Sequence, residues 1–204
     1  FYLGIDFGSV DDLCALFGLW LDDGGRVHYR AWCYAPREAA ERRAELGRVP
    51  YLQWAEKGWL TLTPGDTTDY GFLIAEVERL AKRHRVTAIG YDPNNAGDAG
   101  NRLDALGFNV LRVPQSFASL GTATRRFEAD VRSHKAKHDG NPVLKWCVGN
   151  AVVEQDANEN PRPSKRRSVE KIDAVVAGVI AQAVALAVLP VGPSPYNERG
   201  IRWV

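Results

Sequence analysis

Three aspartates stand where apolar segments begin or end. Asp6 closes the strand-like run Phe1-Tyr-Leu-Gly-Ile-Asp6 and is followed by Phe7-Gly8-Ser9. Asp92 closes the apolar run Val86–Tyr91, and Pro93 after it cannot continue a strand ladder. Asp173 lies in the first turn of a long apolar helix. Singly, each has a plain structural explanation: an Asx turn for the first two, and a favourable helix-dipole interaction for the third. Together they can do more. Acids at the ends of two parallel-type strands and at the start of a helix can meet at the carboxyl edge of a sheet, where open α/β folds keep their ligands. Three carboxylates with few other donors make a hard oxygen site suited to Mg²⁺ or Mn²⁺. Two such ions about 4 Å apart activate a water and stabilise the leaving oxygen in phosphodiester hydrolysis.

Other chemistries find less support. No Gly-x-x-x-x-Gly-Lys-Ser/Thr stretch occurs, which excludes a P-loop ATPase. His28, His84, His134 and His138 lack the spacing of a zinc protease, and neither Ser9 nor Ser116 sits in a nucleophile elbow. Gly4-Ile-Asp6-Phe-Gly8-Ser mimics the phosphate hairpin of sugar kinases and actin-like ATPases. The adenosine-binding glycine motif that such a site requires does not follow. Cys14, Cys33 and Cys147 are too scattered for a disulfide framework or a zinc site and read as buried thiols.

The elements that must position the acids follow from periodicity and turn residues. Leu3–Asp6 is a strand. Leu13–Leu21 and Arg26–Tyr34 pair around the hairpin signal Asp22-Asp23-Gly24-Gly25, giving three antiparallel strands at the start. Helices follow over Arg37–Leu46 and Tyr51–Lys57, the latter stopped by Gly58, then a short strand over Trp59–Thr63. Asp69 caps a helix reaching about His84, with Phe72, Ile74, Val77 and Leu80 as its core contacts. The strand Val86–Tyr91, helix Asn101–Leu106 and strand Asn109–Val113 alternate as parallel α/β units do. Thr124–His134 reads as a helix, Gly149–Gln155 as an edge strand or hairpin, and the polar Asp156–Ser168 as a mobile loop. Glu170–Val188 is the last long helix. The expected fold is a single α/β domain over 1–190, with a mixed central sheet flanked by helices, antiparallel in its first three strands and parallel thereafter. A Pro-rich tail occupies 191–204.

Composition sets bounds on the surroundings. The formal net charge is +1 and 45% of residues are hydrophobic, an ordinary globular balance. Ile172–Leu189, the nearest approach to a membrane span, carries Asp173 and Gln182 and reads as a buried helix, so no membrane partner is expected. No signal peptide is visible, and the absence of any Met suggests a domain excised from a longer polypeptide. The positive charge is clustered: Arg112, Arg125, Arg126, Arg132, Lys135 and Lys137 in one stretch, and Arg162, Lys165, Arg166, Arg167 and Lys171 in another. Such clusters form either a solvated surface or a face for nucleic acid.

A longer series of motifs is specific as an ordered set: Gly4-Ile-Asp6 with Asp11-Asp12-Leu13, Tyr91-Asp92-Pro93-Asn94-Asn95-Ala96, His138-Asp139-Gly140-Asn141-Pro142-Val143-Leu144 with Trp146, Asn150-Ala151-Val152, and Lys165, Ser168 and Lys171-Ile172-Asp173. This set resembles the C-terminal nuclease domain of the terminase large subunit of tailed phages, over nearly the whole chain. The resemblance implies an RNase H-like fold and a metal-dependent endonuclease that cuts concatemeric double-stranded DNA during genome packaging. It implies Asp6, Asp92 and Asp173 as ligands of two Mg²⁺ or Mn²⁺ ions, with Asp12 as accessory acid and Asp11 its rival. Lys165, Ser168 and Lys171 would contact phosphate, and Arg125, Arg126, Lys135, Lys137, Arg166 and Arg167 would hold the duplex by its backbone. Asn95 would stand near the site. His138 either does so too or caps the turn at Asp139-Gly140. Where the family often has Met after the Trp, this chain has Cys147. Implied partners are an N-terminal packaging ATPase of the same polypeptide, the portal and the small terminase subunit, in the cytoplasm of an infected bacterium. A junction resolvase would share the catalytic logic, and a non-catalytic DNA or portal docking module would keep the acids as turn formers.

Overall fold

The computed structural model describes residues 1–8, 13–47, 49–94, 96 and 98–188. The chain opens with β1 (Tyr2–Asp6), β2 (Cys14–Leu21) and β3 (Val27–Pro36), then α1 (Arg37–Glu45), α2 (Tyr51–Glu56) and β4 (Leu60–Thr63). Next come α3 (Tyr70–Ala81), β5 (Ala88–Tyr91), α4 (Ala99–Ala105), β6 (Val110–Arg112) and α5 (Phe117–Arg132). The last part holds β7 (Lys137–His138), α6 (Pro142–Asn150), β8 (Val153–Gln155), β9 (Pro161–Pro163) and α7 (Asp173–Val188).

The main sheet runs β4-β3-β2-β1-β5-β6, with β7 also on β3. The expected mixture is present: β1, β2 and β3 are antiparallel neighbours, while β5 is parallel to β1 and β6 to β5. Alternation along the strands divides the interior in two. Leu3, Ile5, Cys14 and Leu16 face a core with α3 and α4, where Leu73, Ile74, Val77 and Leu103 are buried. Ala15, Phe17 and Leu19 face the larger core with α5, α6 and α7.

α7 explains the most apolar stretch of the chain. Twelve of its sixteen residues are buried, so it is apolar on nearly every side, as a helix enclosed by protein must be. No helix among the described residues is long and apolar enough to cross a membrane. On one side α7 lies directly on the sheet. A Cβ on Gly4 of β1 would come within 2.1 Å of the Ala177 carbonyl oxygen and 2.4 Å of the Ala181 nitrogen. One on Gly90, the residue paired with Gly4 across β5, would come within 2.3 Å of a Val184 methyl. Two glycines side by side thus open a slot in the sheet surface for the helix.

Several elements differ from the periodic reading. Phe72 is 38% exposed and Leu73 takes its place in the core, because the apolar stripe of α3 runs through 73, 74, 77 and 80. Asp69 does cap this helix, accepting from the Gly71 N–H at 2.7 Å. α5 begins at Phe117, well before Thr124, with Ser116 as its cap. α6 had no apolar-stripe signature; its start is set by Asn141, whose side chain accepts from the Val143 and Leu144 N–H groups, and by Pro142 at the first turn. The edge strand or hairpin expected over Gly149–Gln155 is present as β8, after α6 has taken Gly149 and Asn150. The stretch expected to be a loop, 156–168, supplies its partner β9 and an Asp156 turn in which the carboxylate accepts from the Asn158 and Asn160 N–H groups. Residues 189–204, which include the expected tail, lie outside the described residues.

The slot leads to a prediction. Gly4→Ala should cost about 2–3 kcal/mol, since the added methyl meets helix backbone that cannot swing aside. That would lower the melting temperature by roughly 4–12 °C. Thermal denaturation followed by circular dichroism checks this, and an unchanged midpoint would mean that α7 does not lie so close.

Candidate active site

The two strands beneath α7 carry the same short pattern, Gly4-Ile5-Asp6 and Gly90-Tyr91-Asp92. Side chains two apart in a strand share a face, so each aspartate emerges on the face where its glycine admits α7. β1 and β5 are in register at Gly4↔Gly90 and Ile5↔Tyr91, which makes Asp6 and Asp92 the next neighbours beyond the paired residues. Adjacent strands run about 4.8 Å apart. α7 begins with Asp173 at this same sheet edge. All three carboxylates are buried: Asp6 is 0%, Asp92 4% and Asp173 1% exposed.

A cation reaches into this group. Lys165 Nζ stands 2.8 Å from Asp6 Oδ2 and 2.6 Å from Asp173 Oδ1. Its backbone belongs to a closed turn. Ser164 N donates to Val152 O, Ser168 N and Oγ both donate to Ser164 O, and Val152 N donates to Ser168 Oγ. Burial by itself would push the lysine pKa down, but the Asp6 and Asp173 charges outweigh it and hold the pKa above its ordinary value.

Gln115 donates from Nε2 to the other Asp6 oxygen, Oδ1, at 3.4 Å. Its carbonyl in turn accepts from Arg162 Nη1 at 2.7 Å. Arg162 also makes two hydrogen bonds to Glu154 Oε1, at 3.0 and 2.8 Å, and lies 4.1 Å over the Phe117 ring. This ties the β8–β9 hairpin to the start of α5 and to the acid edge. Asp92 Oδ1 accepts from the Asn94 N–H at 3.1 Å, the Asx turn expected after β5. The nearby Cys14 thiol is pushed up to about 12 by burial, and it faces the core with α3 and α4 rather than the α7 face. The chemistry left at this edge is that of hard carboxylate oxygens.

Comparison with known proteins adds to this geometry. The family described as the terminase large subunit, endonuclease domain, matches residues 1–188. The chain belongs to that family. The terminase large subunit of Enterobacteria phage HK97 is 29% identical over 186 residues, covering 90% of this chain and 37% of that protein. Protein YmfN of Escherichia coli K12 is also 29% identical, over 198 residues, covering 90% and 43%. The crystal structure of the HK97 large terminase superposes with a TM-score of 0.82 at 28% identity, over 89% of this chain and 38% of that one. The large terminase nuclease from thermophilic phage G20c, also solved with bound magnesium, shares the fold at 17% identity with TM-scores of 0.54 and 0.53, over 78% and 79% of those chains. The RNase H-like class expected from the motifs is therefore the fold of this terminase nuclease domain. The chain spans about two fifths of the length of the HK97 and YmfN relatives.

Within this terminase domain the other expected site residues fall into separate groups. Lys165, expected to contact phosphate, lies among the acids. Ser168 uses its hydroxyl to close the turn beneath Lys165. Arg166 and Arg167 are exposed on that turn, and Lys171 is half-buried just before α7. Arg167 and Arg125 line one cleft with Glu128 and Glu154, so the two basic stretches do meet there, with acids interspersed. Arg126 is drawn to the buried Asp130, 3.1 Å away, to which the Tyr29 hydroxyl also donates. Lys135 and Lys137 stand elsewhere, because α5 starts near Asp6 and runs away from it. Lys137 and His138 pair with His28 and Tyr29. Tyr29 aligns through Leu19 with Tyr2, at the other end of β1, about 13 Å from the Asp6 edge. His138 ends β7, and its Nδ1 accepts from the Gly140 N–H at 3.0 Å. Asp11, Asp12 and Asn95 lie outside the described residues. Gln115 carries no signal in the sequence, and Arg162 is legible there only as part of a basic stretch that could face nucleic acid. The repeated Gly-x-Asp was the one available signal that both strands serve the same helix.

The hairpin contacts predict a pH dependence. The Arg162 hydrogen bonds hold Glu154 below its ordinary 4.5, and the Asn160 N–H holds Asp156 below 3.8. A depressed folded-state pKa contributes stability that is complete above the ordinary value and lost as pH falls through the depressed one. An NMR titration should therefore give Glu154 a midpoint below 4.5, and Arg162→Gln should return it towards that value. An unmoved midpoint in the variant would remove Arg162 as the anchor.

Proposed function

We propose that this domain is a metal-dependent endonuclease that hydrolyses double-stranded DNA during phage genome packaging, with Asp6, Asp92 and Asp173 as its metal-binding acids. The observation that carries this reading is the arrival of three buried carboxylates from β1, β5 and α7 at one sheet edge, in a chain of the terminase endonuclease family.

The donor set fits a hard divalent ion. Buried carboxylates are unfavourable unless a cation accompanies them, and the Lys165 ammonium touches two of these three. Among the described residues, no three acids, histidines or cysteines are drawn tightly enough together to enclose an ion, consistent with an ammonium standing between Asp6 and Asp173. All-oxygen donors favour Mg²⁺ or Mn²⁺ over softer metals, and magnesium is the ion in the G20c nuclease structure. Asp12, with Asp11 its rival, is the accessory acid of this proposal. Bound there, two such ions would supply an activated water and neutralise charge on the scissile phosphate.

The protein's own groups do the positioning. Gln115 orients Asp6 through its side-chain amide. The exposed Arg166 and Arg167, on the turn that carries Lys165, favour approach of a phosphate backbone. Contacts of this kind read charge rather than bases, so sequence preference is expected to be weak. The wider setting in this proposal comprises an N-terminal packaging ATPase on the same polypeptide, the portal and the small terminase subunit, in the host cytoplasm. The 191–204 segment would be a tail beyond the nuclease domain.

Plasmid cleavage in Mn²⁺, in Mg²⁺ and in EDTA, with Asp173→Ala alongside, tests the reading. Nicking and linearisation should require the metal and disappear in the variant. DNA that is bound but uncut in either metal would replace the nuclease with a docking module.

A further inference from the structure

We propose that Lys165 is a tethered counter-ion of the acid set: its ammonium holds Asp6 and Asp173 while no divalent ion is bound, and exchanges with the ion when one arrives. The inference rests on the nuclease reading above and concerns how that site is loaded.

The geometry carries it. One nitrogen lies at hydrogen-bond distance from a carboxylate oxygen of Asp6 and another of Asp173, groups brought in by a strand end and a helix start. A divalent ion held by the same two acids would lie close to the ammonium that now pairs with them, so the two cations compete for the carboxylates. The lysine is also built to leave. Its turn is closed by hydrogen bonds from Ser164, Ser168 and Val152, none of which involves the Lys165 side chain. The flexible side chain keeps 35% of its surface in solvent, so it can swing outwards while its backbone stays in place.

Two consequences follow. Ion binding includes displacement of the ammonium, so the acid set binds a divalent ion less tightly than it would without Lys165. The ammonium also offsets repulsion between Asp6 and Asp173 in the ion-free state, so removing it should leave that state less stable and more strongly stabilised by metal.

The test uses the full chain with Mn²⁺ alone. Isothermal titration should show Lys165→Met binding Mn²⁺ about ten-fold more tightly than the wild type, as expected when charge-assisted hydrogen bonds no longer have to be broken. Thermal melts should show a lower midpoint for the variant in EDTA and a larger upward shift on adding Mn²⁺. The wild type supplies a readout that needs no variant: an amine-reactive reagent, followed by mass spectrometry, should label Lys165 faster with Mn²⁺ than in EDTA. Unchanged Mn²⁺ affinity in a folded Lys165→Met chain, or Lys165 labelling unmoved by Mn²⁺, overturns the exchange. If the variant does not fold, the labelling decides. Asp92→Asn separates the two readings. Mn²⁺ binding that is lost in Asp92→Asn but indifferent to Lys165 leaves the nuclease site standing without the exchange, whereas a wild type that binds no Mn²⁺ removes both.

Discussion

The closeness of α7 to β1 and β5 governs the rest of the acid edge. A helix packed on a sheet through ordinary side chains would ride higher, and its first turn would stand farther from the strand ends. Here Gly4 and Gly90 lie side by side in register, Gly4 beneath the helix backbone at Ala177 and Ala181 and Gly90 beneath the methyls of Ile180 and Val184. Asp6 and Asp92 follow two residues after those glycines on the same face, and Asp173 is the first residue of the helix that the glycines admit. Packing and chemistry are therefore set by the same few positions. The Ala and Gly content of α7 is the helix's share of that fit.

Burying acids creates an electrostatic demand, and the chain meets part of it with its own groups. Lys165 reaches Asp6 and Asp173 from a turn whose hydrogen bonds are made by Ser164, Ser168 and Val152. Gln115 donates to the remaining Asp6 oxygen and is itself held through its carbonyl by Arg162. The β8–β9 hairpin is thus part of the support of the site: its Arg162 spans Glu154, the Phe117 ring and Gln115. Basic residues elsewhere on the surface are spread along the chain's path away from this support. Arg126 pairs with a buried acid, and Lys137 lies on an edge strand at the opposite end of the sheet.

Much of this was legible in the chain before folding. The Asp22–Gly25 turn between two apolar runs marks the first hairpin, and the apolar runs ending at Asp6 and Asp92 mark the two parallel neighbours. Asp69 and Gly107 mark helix ends by local chemistry, the latter through its positive φ of 85°. Less was legible where the signal is not local. α6 has little amphipathic character and is started by a cap, β9 is only three residues long, and β8 fills only the end of the Gly149–Gln155 segment expected as an edge strand or hairpin. The Pro and Asn residues of 156–168 suggested an open loop, yet Asp156 gathers the Asn158 and Asn160 N–H groups into a tight turn that lets the flanking strands pair.

Sequence by itself determined the mixed sheet, the identity of its central strands, the buried final helix and the acids at their ends, because strand alternation, turn residues and helix starts are properties of a few consecutive residues. The ordered motifs also carried the family. Which charged groups meet was decided only by tertiary structure. Lys165 is 159 residues from Asp6 in the chain and Gln115 is 109, and no local rule relates them. Direction decided the rest: α5 begins at the acid edge and runs away from it, so charges adjacent in sequence, from Arg125 to Lys137, end up at different distances from the site. A charge run in sequence is one-dimensional, and only the path of the backbone says which part of it faces the acids.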